Sequence, residues 1–355
     1  MTDITIFGAG IIGLSTTLTL LDSNPNYTIT IAARDLPGDE PSQNWASPWA
    51  CAGWVPLGGP PNEQDMQLAA LTRLRQIAAE HPPEETGVRS VEQTEIIPVP
   101  VPAPSGGYDP LWFAGRVPGY SVLSTSTASP DGTVATTVRY ASVVVNPSKF
   151  LSWLRATLEA KGVEFVRIPS VSSLAELPQH IQGKKKADLV VVNASGAASA
   201  TLQDVLDDAV VTDRAHVCVV KSEFQGGFVC RGNGVYTYVF GRGDGTAVLG
   251  GVSEAVTAEA KPVEEVRADI LSRVHENLPD HFPSPDPADY TILQDLVGIR
   301  PLRPAGVKVE KQVIGETKVV HAYGTTIGGY IHSFGLAQAA AKLVDEFVAE
   351  GAGST

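Results

Sequence analysis

Residues 4–15 read ITIFGAGIIGLS, a short apolar strand that runs into the pattern Gly-x-Gly-x-x-Gly. Each glycine meets a separate requirement, because Gly8 permits a tight turn, Gly10 lets the backbone approach a diphosphate, and Gly13 lets the following helix pack closely on the strand. The N-terminus of that helix attracts anions through its free N–H groups and its dipole. The stretch therefore predicts the first strand, turn and helix of a dinucleotide-binding fold.

A second strand follows at the spacing that such a fold requires. Residues 28–33 combine threonine with apolar side chains and end at Arg34 and Asp35, about 20 residues past Gly13. An acidic side chain at this place is expected to meet a ribose hydroxyl. Because strand, turn, helix, strand and acid are in register, a glycine-rich turn that binds nothing is the weaker interpretation.

Composition narrows the classes of partner. The 355 residues carry a formal net charge of −13, which disfavours nucleic acids and anionic membranes because both need clustered Lys and Arg. The chain has no run of about 18 apolar residues, so no membrane span is expected. The cysteines Cys51, Cys218 and Cys230 are odd in number and lack metal-ligand spacing, which predicts reduced thiols in an intracellular compartment and no metal site.

The strand–helix–strand pattern returns in two later parts of the chain. We expect a helix from Pro147, strands over residues 163–168, 188–193 and 319–324, and a last helix from about Gly335 to Val348 after a turn at Gly328 and Gly329. The regions between these parts are rich in Pro and Gly and contain alternating patterns, as over residues 235–240. In them, residues 98–107 read as a Pro-rich loop and residues 121–135 as a polar one.

The fold class that follows is α/β, with two domains made from separated segments. We expect a nucleotide-binding domain from residues 1–55, 142–200 and 302–355. A substrate domain with an antiparallel sheet is expected from residues 56–141 and 201–301.

Two side chains are candidates for binding a carboxylate. Arg300 stands in the sequence GIRP, so a constrained backbone presents its guanidinium, which can hold a carboxylate bidentately. Arg303 fits the more ordinary role of tying down loop carbonyls. Tyr238 lies on the alternating strand and can direct its hydroxyl at the other carboxylate oxygen, although strand tyrosines are also common core residues.

Several longer motifs occur in a fixed order along the chain. Residues 32–37 read AARDLP, residues 42–50 SQNWASPWA, residues 53–56 GWVP, residues 298–301 GIRP and residues 321–324 HAYG. Together they resemble the FAD-dependent D-amino-acid oxidases, especially the fungal ones. The resemblance spans nearly the whole chain.

This resemblance implies a Rossmann-like domain that binds FAD non-covalently. The glycine turn would surround the FAD diphosphate, Arg34 and Asp35 would hold the adenosine part, and residues 326–331 would reach the isoalloxazine ring. The implied cofactor residues are Gly8, Ala9, Gly10, Ile11, Ile12, Gly13, Arg34, Asp35, Ala46, Ser47, Ala52, Gly53, Val171, Ser195, Arg300, Thr326, Ile327, Gly328, Gly329, Tyr330 and Ile331.

The resemblance also implies the reaction. Arg300 and Tyr238 would bind the substrate carboxylate as the catalytic residues, and Ile327 and Tyr236 would also contact the substrate. Hydride would pass from the Cα atom of a D-amino acid to FAD, with dioxygen as the final acceptor. The products would be a 2-oxo acid, ammonia and hydrogen peroxide.

Arg231 leaves the choice of substrate open. Its spacing to Tyr238 is similar to that of an arginine in the D-aspartate oxidases that meets the side-chain carboxylate of the substrate. Val252 and Ser253, however, stand where those enzymes resemble one another in a further arginine. Neutral D-amino acids are therefore favoured, oxidation of D-aspartate or D-glutamate through Arg231 is the alternative, and an exposed loop position for Arg231 is an equal interpretation.

The tyrosine positions depart from the family pattern in one respect. Many members carry a second active-site tyrosine a few residues before the one that matches Tyr238, whereas this chain has Gly234 and Tyr236 there. Tyr236 would face the same side of the strand as Tyr238, because side chains alternate with a period of two. Whether Tyr236 replaces the missing tyrosine stays open.

Other functions and locations remain as alternatives. An NAD-dependent dehydrogenase or a non-catalytic nucleotide-binding protein would leave the last strand, glycine turn and helix without a purpose, and a covalent flavin is disfavoured because no cysteine follows Cys230. The resemblance implies a peroxisomal location, but the sequence ends in GAGST rather than a Ser-Lys-Leu-type signal, which keeps a cytoplasmic location open. A homodimer is a further expectation of the resemblance.

Overall fold

The computed structural model describes residues 3–100, 108–127, 133–181, 189–232, 235–255 and 261–352. In chain order the strands are β1 (Asp3–Phe7), β2 (Thr28–Ala33), β3 (Val88–Pro100), β4 (Ser121–Thr125), β5 (Thr133–Val145), β6 (Glu164–Arg167), β7 (Val190–Asn193), β8 (Val211–Lys221), β9 (Gly227–Gly232), β10 (Val235–Gly241), β11 (Thr246–Ala255), β12 (Ile292–Leu302), β13 (Lys308–Ile314) and β14 (Thr317–Tyr323). The helices are α1 (Ile11–Ser23), α2 (Pro61–Glu80), α3 (Pro83–Thr86), α4 (Pro147–Ala160), α5 (Leu177–His180), α6 (Glu264–Asn277) and α7 (Gly329–Ala352).

The first of two compact units contains Met1–Pro48, Ser148–Asp213 and Ile299–Thr355. Its sheet has the order β13-β14-β7-β1-β2-β6, in which β13 pairs antiparallel with β14 and the other pairs are parallel. Strands β1, β2 and β7 are apolar and almost wholly buried, as expected of central parallel strands. The parallel pairing brings their carboxyl ends to one edge of this first sheet, which confirms the predicted Rossmann-like α/β fold.

The second unit contains Trp49–Pro147 and Arg214–Gly298. Its sheet, the second sheet, has the order β12-β8-β11-β10-β9-β3-β5-β4. The pairs β10–β11, β9–β10, β3–β5 and β4–β5 are antiparallel, in agreement with the predicted antiparallel sheet, whereas β3 and β9 run parallel, with residues 93–96 opposite residues 227–230. No hairpin turn sets the direction of β9 relative to β3, since the chain passes through the first unit between them. Helices α2 and α6, which the sequence patterns did not indicate, also belong to this unit.

The unit boundaries lie elsewhere than the predicted domain boundaries. Residues 49–55 belong to the second unit, where Gly53 bridges to Val144 and the Trp54 N–H donates to the Val143 carbonyl. Strand β5 continues past residue 141 and β8 begins only at Val211, and the second and third boundaries lie nearer the C-terminus than predicted, at 147/148 and 213/214, whereas the last lies at 298/299 instead of 301/302.

Helix α7 begins earlier than predicted. Its first residue is Gly329, so the expected turn at Gly328 and Gly329 leads directly into the helix and the expected start at Gly335 is wrong. The His332 N–H donates to the Gly328 carbonyl, and buried Tyr330 and Ile331 form the first apolar turn. The polar side chains of His332 and Ser333, both buried, interrupt the apolar periodicity that would have revealed this turn.

Both expected loops of the second unit prove to be partly strand. Pro98 and Pro100 belong to β3 and pair with β5, which is compatible with proline because β9 covers the other edge of β3 only as far as Ile96. Residues Ser121–Thr125 form β4, an exposed edge strand in which Val122 and Leu123 are also exposed. Residues 101–107 and 128–132 of these expected loops lie outside the described residues.

Three further observations concern the described part of the chain. Cys51, Cys218 and Cys230 form no disulfide there. No group of three or more His, Cys, Asp or Glu side chains in those ranges is placed to hold a metal ion. None of the helices described combines the length and the apolar character needed to cross a membrane.

Candidate cofactor site and substrate residues

The glycine turn between β1 and α1 has no room for side chains. Gly8 has a φ of +112°, and a Cβ atom added to it would lie 2.5 Å from the Ala194 carbonyl oxygen. A Cβ atom on Gly13 would lie 2.0 Å from the Gly8 carbonyl oxygen, and one on Gly10 would lie 2.9 Å from Ser47 Oγ. Buried Ala9 completes the turn, and Ile11 and Ile12 open α1. The turn thus forms a backbone cradle that fits a diphosphate at a helix N-terminus.

Ser47 occupies part of this helix end. Its Oγ accepts a hydrogen bond of 3.0 Å from the Ile11 N–H, so that N–H is not free as the sequence pattern suggested. The hydroxyl retains its own proton, and the Ser47 carbonyl accepts a hydrogen bond of 3.0 Å from the Tyr330 hydroxyl. No acidic side chain stands in the first turn of α1. The end of the helix therefore keeps its attraction for an anion.

Trp45 lies beside the same helix end, one residue before the predicted contact Ala46. Its side chain is 8% exposed, and its indole N–H finds no hydrogen-bond partner among the described residues. Sequence reasoning missed this residue. The available signal was a large aromatic side chain in the polar stretch SQNWASP, which is an unusual place for one.

Arg34 and Asp35 follow β2 at the same edge of the first sheet as Gly8, because Phe7 of β1 pairs with Ala32 of β2. They form an ion pair with each other, in which Arg34 Nε lies 2.8 Å from Asp35 Oδ2. Arg34 Nη2 also donates to Ser42 Oγ at 3.1 Å. The pair holds the Asp35 carboxylate where a ribose hydroxyl of a nucleotide at this edge could donate to it.

Ser195 follows β7 and lies against the glycine turn, since its Cα atom is 3.4 Å from a Cβ atom added to Gly8. The Ser195 N–H donates to Asn193 Oδ1 at 3.2 Å, and Asn193 Nδ2 lies 3.2 Å from His321 Nδ1. The chain of polar groups ends at Gln312, whose Oε1 is 2.7 Å from His321 Nε2. Burial, with the charge of Lys308, lowers the pKa of His321 to about 4. His321 is therefore neutral at pH 7 and accepts from Asn193 while donating to Gln312.

The remaining cofactor candidates of the first unit differ in their surroundings. Val171 is partly buried and packs against the apolar cluster that contains Leu174 and Leu177. Thr326 has a φ of +50°, and its hydroxyl donates to the Arg303 carbonyl at 3.1 Å. Ile327 is 44% exposed and so is accessible to a ligand. Gly328 precedes α7 and residues 329–331 form its start, and the first turn of this helix carries no acidic side chain.

Arg300 lies on β12 and faces a carboxylate of its own chain. Its Nε donates to Asp213 Oδ1 at 2.9 Å and its Nη2 donates to Asp213 Oδ2, a two-point pair with a nearly buried aspartate. The pair fixes the plane of the guanidinium. Sequence reasoning gave no signal for Asp213. Arg303 has the expected structural role, since it donates to Asp207 and to the Gly306 carbonyl.

Tyr238 lies in the second unit, on β10. Two glycines of β11 make room for its ring, because Cβ atoms on Gly250 and Gly251 would lie 2.3 Å and 2.5 Å from ring or hydroxyl atoms of Tyr238. Tyr236 has its ring centroid 5.2 Å from that of Tyr238, so the two share a face of the strand as predicted. Gly234, which stands at the expected place of a second tyrosine, lies outside the described residues.

Ala52 and Gly53 belong to the second unit as well. Ala52 has a φ of +57°, and its carbonyl accepts from the Val145 N–H. A Cβ atom on Gly53 would lie 2.4 Å from the ring of Phe240, which stacks on Tyr238. The two residues thus form part of the packing around the strand that carries Tyr238.

Arg231 is partly buried, and its guanidinium has hydrogen-bond partners within the chain. Its Nε donates to Glu95, its Nη2 donates to the Pro56 carbonyl at 2.6 Å, and its guanidinium lies 5.7 Å from the centroid of the Tyr236 ring. Glu95 is completely buried and also accepts from the Tyr140 hydroxyl at 2.7 Å. Burial raises the pKa of Glu95, while Arg231 and Tyr140 act in the opposite direction. Arg231 therefore has a buried countercharge, and the interpretation of an exposed loop residue is wrong.

Comparison with known proteins agrees with the motifs. A family profile described as DAO, FAD dependent oxidoreductase, matches residues 3–343. A D-amino-acid oxidase of Fusarium vanettenii is 28% identical over 97% of this chain and 96% of its own, and a D-aspartate oxidase of Talaromyces thermophilus is 30% identical over 96% and 94%. The solved glycine oxidase of Geobacillus kaustophilus shares the fold, with a TM-score of 0.72 at 14% identity over 98% of this chain and 95% of its own. With the glycine cradle, this full-length match establishes that the chain belongs to the DAO family of FAD-dependent oxidoreductases.

Proposed function

We propose that the protein is a D-amino-acid oxidase that acts on neutral D-amino acids. The observation that carries the proposal is Arg300, a guanidinium whose plane is fixed by Asp213 and which can bind a substrate carboxylate. Relatives named D-amino-acid oxidase, which match nearly the full length of the chain, support this class of substrate. The overall reaction converts a D-amino acid, water and dioxygen to a 2-oxo acid, ammonia and hydrogen peroxide.

Binding and orientation are the tasks of the protein in this reaction. Arg300 holds the substrate carboxylate, and Tyr238 is assigned to the same carboxylate by the family resemblance alone. FAD held at the glycine turn would supply the acceptor for the hydride from the substrate Cα atom and the route by which the electrons reach dioxygen. Because hydride carries the Cα hydrogen away with its electron pair, no side chain has to act as a base at that carbon. The imino acid formed is hydrolysed by water.

The surroundings of Arg231 favour neutral substrates over acidic ones. Val252 and Ser253 stand where the D-aspartate oxidases resemble one another in a further arginine, so Arg231, which is paired with the buried Glu95, would have to anchor a second substrate carboxylate by itself. Oxidation of D-aspartate or D-glutamate remains the alternative, supported by the relative named D-aspartate oxidase.

Oxygen consumption by the FAD-loaded protein tests both substrate classes. The panel contains D-Ala, D-Phe, D-Asp and D-Glu, each with its L-form as a control. Turnover of D-Ala or D-Phe supports the proposal. Activity confined to D-Asp and D-Glu would instead support the alternative, an oxidase of D-aspartate or D-glutamate. Absence of turnover with every D-form would overturn the proposed function.

We also propose that FAD is held without a covalent bond, in a peroxisomal homodimer. The chain has no cysteine after Cys230, and Cys218 is buried. Acid precipitation should therefore release all yellow colour into the supernatant, whereas a yellow pellet would contradict non-covalent binding. The location and the dimer rest on the family resemblance alone. Fluorescence imaging of the tagged full chain tests the location. Light scattering of the purified protein tests the dimer.

A further inference from the structure

We propose that Trp45 is a cofactor-binding residue, whose indole N–H donates a hydrogen bond to the diphosphate of FAD at the N-terminus of α1. Ser47 supplies a second donor through its hydroxyl proton. The inference rests on the proposed non-covalent binding of FAD and does not depend on which amino acid is the substrate.

The first observation is that a strong donor is buried without a partner. The Trp45 side chain is 8% exposed, and its Nε1 atom is shielded from solvent with no acceptor among the described residues. Buried donors are nearly always hydrogen-bonded, because removing an N–H from water without compensation is unfavourable. The indole nitrogen can only donate, so whatever satisfies it must offer an acceptor atom.

The second observation is where this donor lies. Trp45 Nε1 is 3.9 Å from the position that a Cβ atom of Gly10 would take, directly over the turn that precedes α1. The absence of a side chain at Gly10 lets the Ser47 hydroxyl and the Trp45 indole N–H approach the turn. Helix α1 has 13 residues, so its N-terminus presents a developed dipole and N–H groups at the same turn.

The third observation concerns Ser47. Because its Oγ accepts the Ile11 N–H, the hydroxyl proton must point elsewhere than at that backbone group. The Tyr330 hydroxyl fixes the Ser47 carbonyl, and Ser47 Oγ lies 2.9 Å from the Cβ position of Gly10. An indole N–H, a hydroxyl and a helix N-terminus therefore lie close together at this turn.

These groups select the part of the cofactor that binds. All of them are donors or carry partial positive charge, and no acidic side chain stands in the first turn of α1. A ligand rich in acceptor oxygens and negatively charged satisfies them, which describes the diphosphate and excludes the apolar face of the flavin ring. Charge-assisted hydrogen bonds to phosphate oxygens are also stronger than neutral ones.

The variant Trp45→Phe tests the inference, since it keeps an aromatic ring and removes the donor. Apoprotein is titrated with FAD, and the flavin fluorescence gives the dissociation constant. We expect the Kd for FAD to rise about tenfold, the loss associated with one hydrogen bond to a charged group. ADP and riboflavin then serve as competitors: the Kd for ADP should rise by a similar factor, and that for riboflavin should stay the same.

Trp54→Phe is the matched control. The Trp54 indole N–H already donates to the Gln67 carbonyl at 2.9 Å, so its removal should lower the urea midpoint of the apoprotein and leave the Kd for FAD unchanged. Trp45→Phe breaks no hydrogen bond within the described protein and should leave the apoprotein midpoint unchanged or raise it. Trp45→Phe should therefore change the Kd for FAD without lowering the midpoint, and Trp54→Phe should lower the midpoint without changing the Kd. This difference distinguishes an effect on ligand binding from an effect on folding.

Three results would overturn the inference. They are an unchanged Kd for FAD in Trp45→Phe, a weakened affinity for riboflavin with an unchanged one for ADP, and a fall in the apoprotein midpoint as large as that of Trp54→Phe. If the unaltered protein takes up no FAD, the proposed function fails and this inference fails with it. The inference is supported if Trp45→Phe raises the Kd for FAD and for ADP and leaves the Kd for riboflavin unchanged.

Discussion

At the scale of single residues, Gly8 illustrates how a backbone position excludes every side chain. Its φ of +112° is unfavourable for residues with a Cβ atom, and the Ala194 carbonyl oxygen occupies the place where that atom would stand. The clash involves backbone on both sides, so no rotation of a side chain can relieve it. The requirement for glycine follows from the approach of β7 to the turn after β1.

We therefore predict that Gly8→Ala destabilises the protein by about 3 kcal/mol or more and abolishes FAD binding, because strain and a backbone clash combine. Gly162→Ala is the control, with a φ of +86° and no atom within 4 Å of the added Cβ. It should lower the stability by only about 1–2 kcal/mol. Urea unfolding followed by circular dichroism measures both, and equal losses would contradict the importance of the clash.

A second residue-scale prediction concerns the pair of Arg231 and Glu95. Arg231→Met leaves Glu95 buried with only the Tyr140 hydroxyl as a described partner, and removal of one member of such a pair costs about 3–5 kcal/mol. The double variant with Glu95→Gln should recover most of this loss, since no uncompensated charge remains. The urea midpoint of each variant measures the effect.

The dependence on pH provides the check for this pair. In Arg231→Met the buried carboxylate becomes protonated as the pH falls through its raised pKa, so the loss of stability should shrink at lower pH. In the double variant with Glu95→Gln, the loss of stability relative to the unaltered protein should not change with pH. A loss in Arg231→Met that is the same at pH 5 and pH 8 would show that Glu95 is not the cause.

At the scale of elements, β7 and β14 carry a chain of buried polar groups between them. Asn193 and His321 are paired across the two parallel strands, and both are completely buried. His321 donates to Gln312 of the neighbouring β13, and Asn193 accepts from the Ser195 N–H. The chain links three strands of the first sheet to the turn that lies against Gly8. Its neutrality depends on His321 staying unprotonated.

This arrangement predicts a loss of stability between about pH 6.5 and pH 4. The pKa of His321 is lowered from 6.5 to about 4 by burial, so in this window the unfolded chain binds a proton that the folded protein does not. The difference of 2.5 units (6.5 − 4) corresponds to a loss of about 3 kcal/mol when the window is crossed. Urea midpoints measured from pH 7 to pH 4 determine it.

His321→Gln is the control for this prediction, because glutamine keeps a donor and an acceptor and does not titrate. The variant should be less stable at pH 7 but should lose less stability than the unaltered protein on acidification. If both proteins lose stability equally between pH 6.5 and pH 4, groups other than His321 determine the acid sensitivity.

At the scale of the whole molecule, ligand binding should couple to stability. A ligand that binds only the folded state raises the free energy of unfolding by about 2.7 kcal/mol at 100 times its Kd. We predict this increase for FAD, because the glycine cradle exists only when β1, α1 and β7 are assembled. Thermal unfolding of the apoprotein at rising FAD concentration measures it. NAD at the same concentrations is the control, and a larger shift with NAD than with FAD would favour the dehydrogenase alternative.

Much of the nucleotide-binding part could be predicted because its information is local. Strand β2 has the predicted bounds, and β1, α1 and β6 differ from them by a few residues, since their apolar patterns and glycines decide the backbone conformation over short distances. The partners of the arginines could not be predicted. Arg231 and Glu95 are 136 residues apart, and Arg300 and Asp213 are 87 residues apart, so only folding brings each pair together.

The sequence by itself determined the α/β class, the glycine turn and its diphosphate-binding character, because these depend on backbone conformation and on the periodicity of neighbouring side chains. The tertiary structure alone decided that β9 runs parallel to β3, that Ser47 takes the first N–H of α1, that the Trp45 indole is buried without a described acceptor, and that Glu95 neutralises Arg231. These features depend on desolvation and pairing between distant segments, and the energy of a buried polar group is set by what surrounds it.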